Sequence, residues 1–185
     1  MSARWSSAAL TRRRFIVNGV RVAAGLVAAT PAIGMASQPS YHKLGLYNTH
    51  TKESLACRVN LTSGRPENVN RLNHFLRDFR TGDVHPIDTD LLYLLSRLQK
   101  ATGNDDVFEV ISGYRSPATN RKLRLASGKV AKKSLHMEGR AIDIRLRGVS
   151  TRHLCRIARS FHSGGVGYYP ASDFIHIDTG PVRTW

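Results

Sequence analysis

Apolar and polar positions alternate through KLGLYN and SLACRVN, on either side of Thr49-His50-Thr51-Lys52-Glu53. A period of two around a polar turn predicts a β-hairpin over residues 41–60. Past Pro66-Glu67 the period lengthens. Val69, Leu72, Phe75, Leu76 and Phe79 recur at helical spacing, and Gly82 is the expected stop. A second helix is predicted with Asp88 as its N-cap, Leu91, Leu92, Leu94, Leu95 and Leu98 as its apolar side, and Thr102-Gly103 as its end. Residues 107–111 read as a short strand. The loop Ser112-Gly113-Tyr114-Arg115-Ser116-Pro117 follows and leads into a basic helix around residues 118–125. Residues 140–146 alternate again as a strand, Ser150 is placed to cap a helix over 151–161, and Gly164-Gly165 breaks it. Two further strands are predicted over 166–169 and 174–179. Helices early and antiparallel-looking strands late make an α+β domain the expected class. The Leu and Phe stripes of the helices supply core and carry no chemistry.

Residues 1–36 break this pattern. They hold five arginines and no acid, and residues 22–36, VAAGLVAATPAIGMA, are apolar and rich in small side chains, ending in the small-x-small triplet Gly34-Met35-Ala36. A basic segment, a modest apolar segment and a small-residue cleavage pattern are the parts of an export signal. Arg12-Arg13-Arg14-Phe15-Ile16 resembles the twin-arginine signature. Asn18, Arg21 and Pro31 leave too short an apolar run for a membrane span. The expected organisation is a twin-arginine signal over 1–36 and one domain over 37–185. The mature protein is then expected in the periplasm or cell envelope, with no membrane span once the signal is removed.

Charge changes its meaning in this light. The 185 residues carry 28 Lys+Arg against 13 Asp+Glu, a net charge of +15. Such a balance ordinarily points to nucleic acid or another anionic surface. Without the five arginines of the signal the balance is 23 against 13, or +10. Nucleic acid fits the sign of this charge but not the export signal, so it is not expected as a partner. Lys122, Arg124, Lys129, Lys132 and Lys133 crowd the stretch after the SGYRS loop, where they are placed to gather an acidic polymer. Hydrophobic residues make up 41% and charged residues 22%, proportions that suit a folded domain rather than a disordered chain. Two cysteines are too few for a disulfide scaffold. Cys57 and Cys155 leave two readings open, an oxidised pair or buried thiols.

Candidate chemistry gathers in two segments. His136-Met137-Glu138-Gly139-Arg140-Ala141-Ile142-Asp143 enters a strand on which Ala141, Asp143 and Arg145 share one face. In Phe174-Ile175-His176-Ile177-Asp178 the alternation places Phe174, His176 and Asp178 on one face. If the two strands are neighbours, Asp143 and His176 meet, and Gly139 lets the chain turn so that His136 joins them. Two imidazoles and a carboxylate with an open fourth position are a catalytic zinc set. An ion pair of Asp143 with Arg140 or Arg145 accounts for the same residues without a metal, and the residues alone leave both readings standing.

The H-x-x-G-x-A-x-D run, the later His on a strand and the SGYRS loop ahead of both resemble the zinc D-alanyl-D-alanine metallopeptidases. That superfamily also holds lysostaphin-type enzymes and the Hedgehog domain. The stretches SGYRSPATN, GKVAKKSLHMEGRAIDI and GGVGYYPASDFIHIDTGPVRTW are similar to the bacterial murein endopeptidase K family in particular. The resemblance implies a small antiparallel sheet carrying the site, flanked by helices, with His136, Asp143 and His176 binding Zn²⁺. It implies that Arg115 holds substrate and stabilises the developing oxyanion. In one branch a Glu three residues before the last His is the general base, and Asp173 occupies that place here. Asp178 is the second candidate, as base or as a residue that orients a ligand. The implied activity is exported, zinc-dependent hydrolysis of peptidoglycan cross-links, at D-Ala–diaminopimelate or diaminopimelate–diaminopimelate bonds. The alternatives are a D,D- or L,D-carboxypeptidase of stem peptides and a non-catalytic zinc-containing wall-binding module. Ser112, Ser134, Tyr168 and Tyr169 are further candidates to line the site. His153 and His162 are expected to face solvent.

Overall fold

The computed structural model describes residues 40–128 and 130–185; the segment read as an export signal lies outside them. The hairpin forms as its alternation requires, with β1 (Tyr41–Asn48) antiparallel to β2 (Ser54–Asn60). Leu44, Leu46, Leu55, Cys57 and Val59 are the inward positions and all are buried. Asn48 closes the turn, its carboxamide oxygen accepting from the amides of His50 and Thr51.

Helix α1 (Val69–Phe75) is capped by Asn68, whose side chain accepts from Arg71 N. It stops seven residues short of the Gly82 predicted as its end. Asp78 is the physical reason: its buried carboxylate accepts from the amide and hydroxyl of Ser116, which draws the chain out of the helical path. Helix α2 (Asp90–Thr102) has Thr89, not the expected Asp88, at its N-cap; Asp88 Oδ1 accepts from Asp90 N one residue outside it, and the helix ends at Gly103 in the left-handed region. The remaining elements are β3 (Phe108–Ser112), α3 (Pro117–Ser127), β4 (Ala141–Leu146), α4 (Thr151–Ser160), β5 (Gly165–Tyr169), β6 (Phe174–Asp178) and β7 (Arg183–Thr184). Short 3₁₀ turns at Leu135–Glu138 and Pro170–Ser172 precede β4 and β6. Ser116 and Ser150 cap α3 and α4 through their hydroxyls.

These strands make one seven-stranded sheet in the order β2-β1-β3-β4-β6-β5-β7. The α+β class holds, but the sheet is larger than the small antiparallel one expected and it is mixed. The N-terminal hairpin joins it through parallel pairing of β1 with β3, with α1 and α2 in the crossover that such pairing needs. Arg183–Thr184, not anticipated as a strand, adds a second parallel pairing beside β5. Helices α2 and α4 pack on each other, and α4 also packs on β4, β5 and β6. Their Leu91, Leu95, Leu98 and Leu154 meet Ile142, Ile144, Ile175 and Ile177 in one core. The other face of β4 and β6 is thereby left to Ala141, Asp143, His176 and Asp178. Cys57 and Cys155 are free thiols in the core, and burial pushes the Cys57 thiol up to about 11. Among the described residues no helix is long and apolar enough to cross a membrane.

Candidate metal centre

Pairing of β4 with β6 sets Asp143 directly opposite His176, as the alternation of the two segments anticipates. His136 arrives from the 3₁₀ turn Leu135–Glu138, which Gly139 ends at φ 66°. A side chain at that position would collide with the Pro86 carbonyl, so the return of the chain into β4 depends on glycine there. The three residues are 3%, 6% and 8% exposed for His136, Asp143 and His176. His136 Nε2 lies 3.2 Å from Asp143 Oδ1 and 3.2 Å from His176 Nδ1, and His176 Nδ1 lies 2.9 Å from Asp143 Oδ1.

The outer contacts decide what these atoms offer. His136 Nδ1–H donates to the Gly113 carbonyl at 2.8 Å, and His176 Nε2–H donates to Asp178 Oδ2 at 2.9 Å. With those hydrogens engaged, the inner nitrogens of both rings present lone pairs to each other and to a carboxylate oxygen. Three acceptors facing one point repel unless a proton or a metal cation lies among them. Among the described residues this is the His/Cys/Asp/Glu group able to hold a metal ion, and a His₂-carboxylate donor set suits Zn²⁺. The titration of the group follows the same logic. Burial alone raises the Asp143 carboxyl, but the His136 and His176 imidazoles outweigh it and hold it well below the usual range. Burial lowers the His176 imidazole, yet Asp143 and Asp178 outweigh it and lift it to about 9.

Asp178 is fully buried, and every atom around its carboxylate is a donor. Oδ1 accepts from Gly165 N at 3.0 Å, Gly180 N at 2.8 Å and an Arg183 guanidinium nitrogen at 3.1 Å. Oδ2 accepts from His176 Nε2 and, at 2.6 Å, from the other Arg183 terminal nitrogen. Burial raises this carboxyl, but the donors prevail and hold it far below its ordinary value. Asp178 therefore touches His176 rather than the cleft.

Arg115 reaches the site from the loop between β3 and α3. Its guanidinium stands 3.8 Å from Asp143 Oδ2, and its Nε is buried with no hydrogen-bond partner. The loop is fastened on both sides, because Arg115 N donates to His136 O and Asp78 holds Ser116. Asp173, by contrast, does not face the three ligands. Its backbone adopts φ 49°, and its carboxylate, 63% exposed, accepts from Thr151 Oγ1 at 2.8 Å and stands 3.5 Å from an Arg145 nitrogen. Its carboxylate, expected from sequence as the base, is held at the start of α4 and is not among the groups that line the cleft. The left-handed turn after Pro170–Ser172 directs it to the start of α4.

His136, Asp143 and His176 open into a cleft of about 330 Å³. One wall is aromatic: Tyr169 stacks on Phe174 at 4.6 Å, and Trp185 Nε1 donates to Tyr169 Oη at 2.8 Å. The Trp185 ring lies 5.2 Å from His176, flat against β5 at Gly167, where any Cβ would strike the indole. Lys133 and Ser134 also line the cleft, whereas Ser112 sits in the sheet beside Asp143 and Tyr168 packs on the core. His153 and His162 are exposed as expected. Of the basic cluster, Lys133 reaches the cleft, Lys122 lines a separate shallow hollow on α3, and Lys129 lies outside the described residues. Sequence reasoning gave no role to Asp78, Arg183 or Trp185. The signal available was GPVRTW itself, a polar, aromatic segment directly after the last ligand strand.

Residues 36–185 match the family model described as peptidoglycan L,D-endopeptidase MepK. The chain is 42% identical to the peptidoglycan L,D-endopeptidase MepK of Escherichia coli strain K12, over 94% of this chain and 96% of that protein. It is 43% identical to the probable peptidoglycan L,D-endopeptidase MepK of Haemophilus influenzae, over 83% of each. No solved structure matches the chain.

Proposed function

The chain belongs to the peptidoglycan L,D-endopeptidase MepK family of peptidases, and on that premise we propose that it is an exported, zinc-dependent hydrolase of peptidoglycan cross-links. The observation that carries the metal reading is the convergence of His136 Nε2, Asp143 Oδ1 and His176 Nδ1, with the outer nitrogen of each ring already engaged. A zinc ion at these atoms supplies Lewis-acid polarisation of the scissile carbonyl and acidification of the attacking water.

The remaining work falls to the chain's own residues. Arg115 presents a buried, unpartnered Nε at the cleft, a donor suited to the carbonyl oxygen as negative charge develops on it. Asp178 fixes the His176 tautomer, and we assign it this positioning role rather than proton abstraction because its carboxylate is enclosed by donors. Tyr169, Phe174 and Trp185 give a flat apolar wall against which an extended peptide lies beside the ligands. Of the two bonds considered from sequence, the L,D designation of the relatives favours diaminopimelate–diaminopimelate. That bond joins the carboxyl of an L-centre to the amine of a D-centre, whereas D-Ala–diaminopimelate joins two D-centres. Export through residues 1–36 by the twin-arginine route, followed by a single peptidase domain, completes the reading; the Arg12–Ile16 run supports it.

Purified protein incubated with isolated muropeptide dimers tests the proposal, with products read by mass. The expected result is conversion of dimers to monomers, abolished by a chelator. Removal of a terminal residue contradicts it in favour of a carboxypeptidase, and absence of any product with zinc present contradicts it in favour of a binding module.

A further inference from the structure

Donors outnumber acceptors in the cleft. Its one acidic side chain, Asp143, belongs to the ligand set, while three cationic side chains line it: Arg115, Lys133 and Arg183. Arg183 is spent on Asp178 through two hydrogen bonds. Arg115 stands beside Asp143. Lys133 is exposed, and among the described residues no carboxylate lies within ion-pair distance of it.

Lys133 is also held in place. Two residues before it the Ala131 carbonyl accepts from the Asn120 side chain at 3.1 Å, and one residue after it the Ser134 carbonyl accepts from Met137 N at 2.9 Å. Asn120 is itself buried. The loop is thus tied to α3 on one side and to the His136 turn on the other, so its ammonium arm opens over the cleft only three residues from a ligand. A cation carried on a tied loop at the rim, with no internal counter-ion among the described residues, favours a substrate that brings one.

Every cross-link that ends on the amine of a diaminopimelate D-centre carries a free carboxylate on the same carbon as the scissile amide nitrogen. We propose that Lys133 is the specificity-determining residue for that carboxylate. The inference rests on the cross-link peptidase reading and deepens it, since Arg115 then serves the scissile carbonyl and Lys133 the charge beside the leaving nitrogen. An amide in place of the carboxylate leaves the ammonium without its partner, and the preference weakens as salt screens it.

Two synthetic cross-linked peptides, differing only in a free carboxyl or a carboxamide at that carbon, test the assignment with the zinc-loaded full chain. The expected result is a KM roughly tenfold lower for the acid with a similar kcat, about the effect of one charge-assisted contact. Lys133→Gln brings the acid-to-amide ratio of kcat/KM close to one, and Lys133→Arg restores the preference. Calorimetric binding of the acid and amide forms to the Asp143→Ala variant gives the same ratio without turnover. A wild-type ratio near one, or a Lys133→Gln ratio equal to that of the wild type, overturns the proposal. If neither peptide is cleaved, the peptidase reading fails instead, and the calorimetric ratio still decides the role of Lys133.

Discussion

Replacing Asp178 by Asn separates a positioning role from a catalytic one, because every neighbour of this carboxylate is a donor. Five donors converge on two oxygens: three on Oδ1 and two on Oδ2. An asparagine supplies one oxygen and one NH₂, and either orientation sets N–H groups against N–H groups. With the NH₂ at the Oδ1 position, the amides of Gly165 and Gly180 lose their acceptor. With it at the Oδ2 position, Arg183, 42% exposed, can turn to water, but His176 Nε2–H faces a donor. The imidazole then relieves the clash by moving its proton to Nδ1, the atom that faces Asp143 and His136. A protonated Nδ1 cannot ligate. Metal affinity is therefore expected to fall about 10- to 100-fold, the usual cost of losing a partner behind a ligand. Stability is expected to fall by about 1–3 kcal/mol for a buried donor left unpaired. Competition with a chromophoric chelator gives the first quantity and urea unfolding of the metal-free protein the second. An Asp178→Asn protein that binds zinc like the wild type, unfolds at the same urea concentration and yet loses turnover refutes the reasoning and makes Asp178 the base.

Two other carboxylates give predictions of opposite kind. Asp173→Asn retains an acceptor for Thr151 Oγ1 and loses only an exposed ion pair with Arg145, so kcat/KM is expected within about twofold of wild type and stability within about 1 kcal/mol; a loss of a hundredfold or more in turnover contradicts its placement. Asp78→Asn keeps one oxygen where Asp78 uses two, Oδ1 for Arg80 N and Oδ2 for Ser116, and is expected to cost about 1–3 kcal/mol in urea unfolding. Burial raises the Asp78 carboxyl, but the donors around it hold it below its ordinary value. Its folded pKa being depressed, its contribution is present above the unfolded carboxylate range near pH 4 and is lost as pH falls through the folded value. The difference between wild type and variant is therefore expected to shrink on acidification; a constant difference shows that the charge of Asp78 is not involved.

The meeting of Asp143 with His176 was legible in the sequence because strand alternation is a strict rule. A period of two put Asp143 and His176 on the faces that β4 and β6 share, and the glycine at 139 allowed the return of His136. The hairpin, α2, α3 and α4 were equally plain, each bounded by cap or turn residues with a local mechanism. What was not legible depends on contacts between distant segments. Asp78 ends α1 early by bonding Ser116, 38 residues away, and no helical periodicity records that. The parallel pairing of β1 with β3 enlarges the sheet through partners far apart in sequence. Asp173 looked like a base from its offset to His176, but offset does not fix direction, and a residue at φ 49° sends its side chain elsewhere. Arg183 and Trp185 lie beyond the motif, and their role arises only when β7 lies down beside β5.

Under the proposed function, hydrolysis of a peptidoglycan cross-link depends on one metal ion held by His136, Asp143 and His176. Stripping the protein of metal, adding zinc in fractions of an equivalent and following turnover of purified muropeptide dimers at each step tests this dependence. Turnover is expected to rise in proportion to zinc and to level off at one equivalent, with Asp143→Ala showing neither tight binding nor turnover. Undiminished turnover by the stripped protein, or wild-type turnover by Asp143→Ala, contradicts the account.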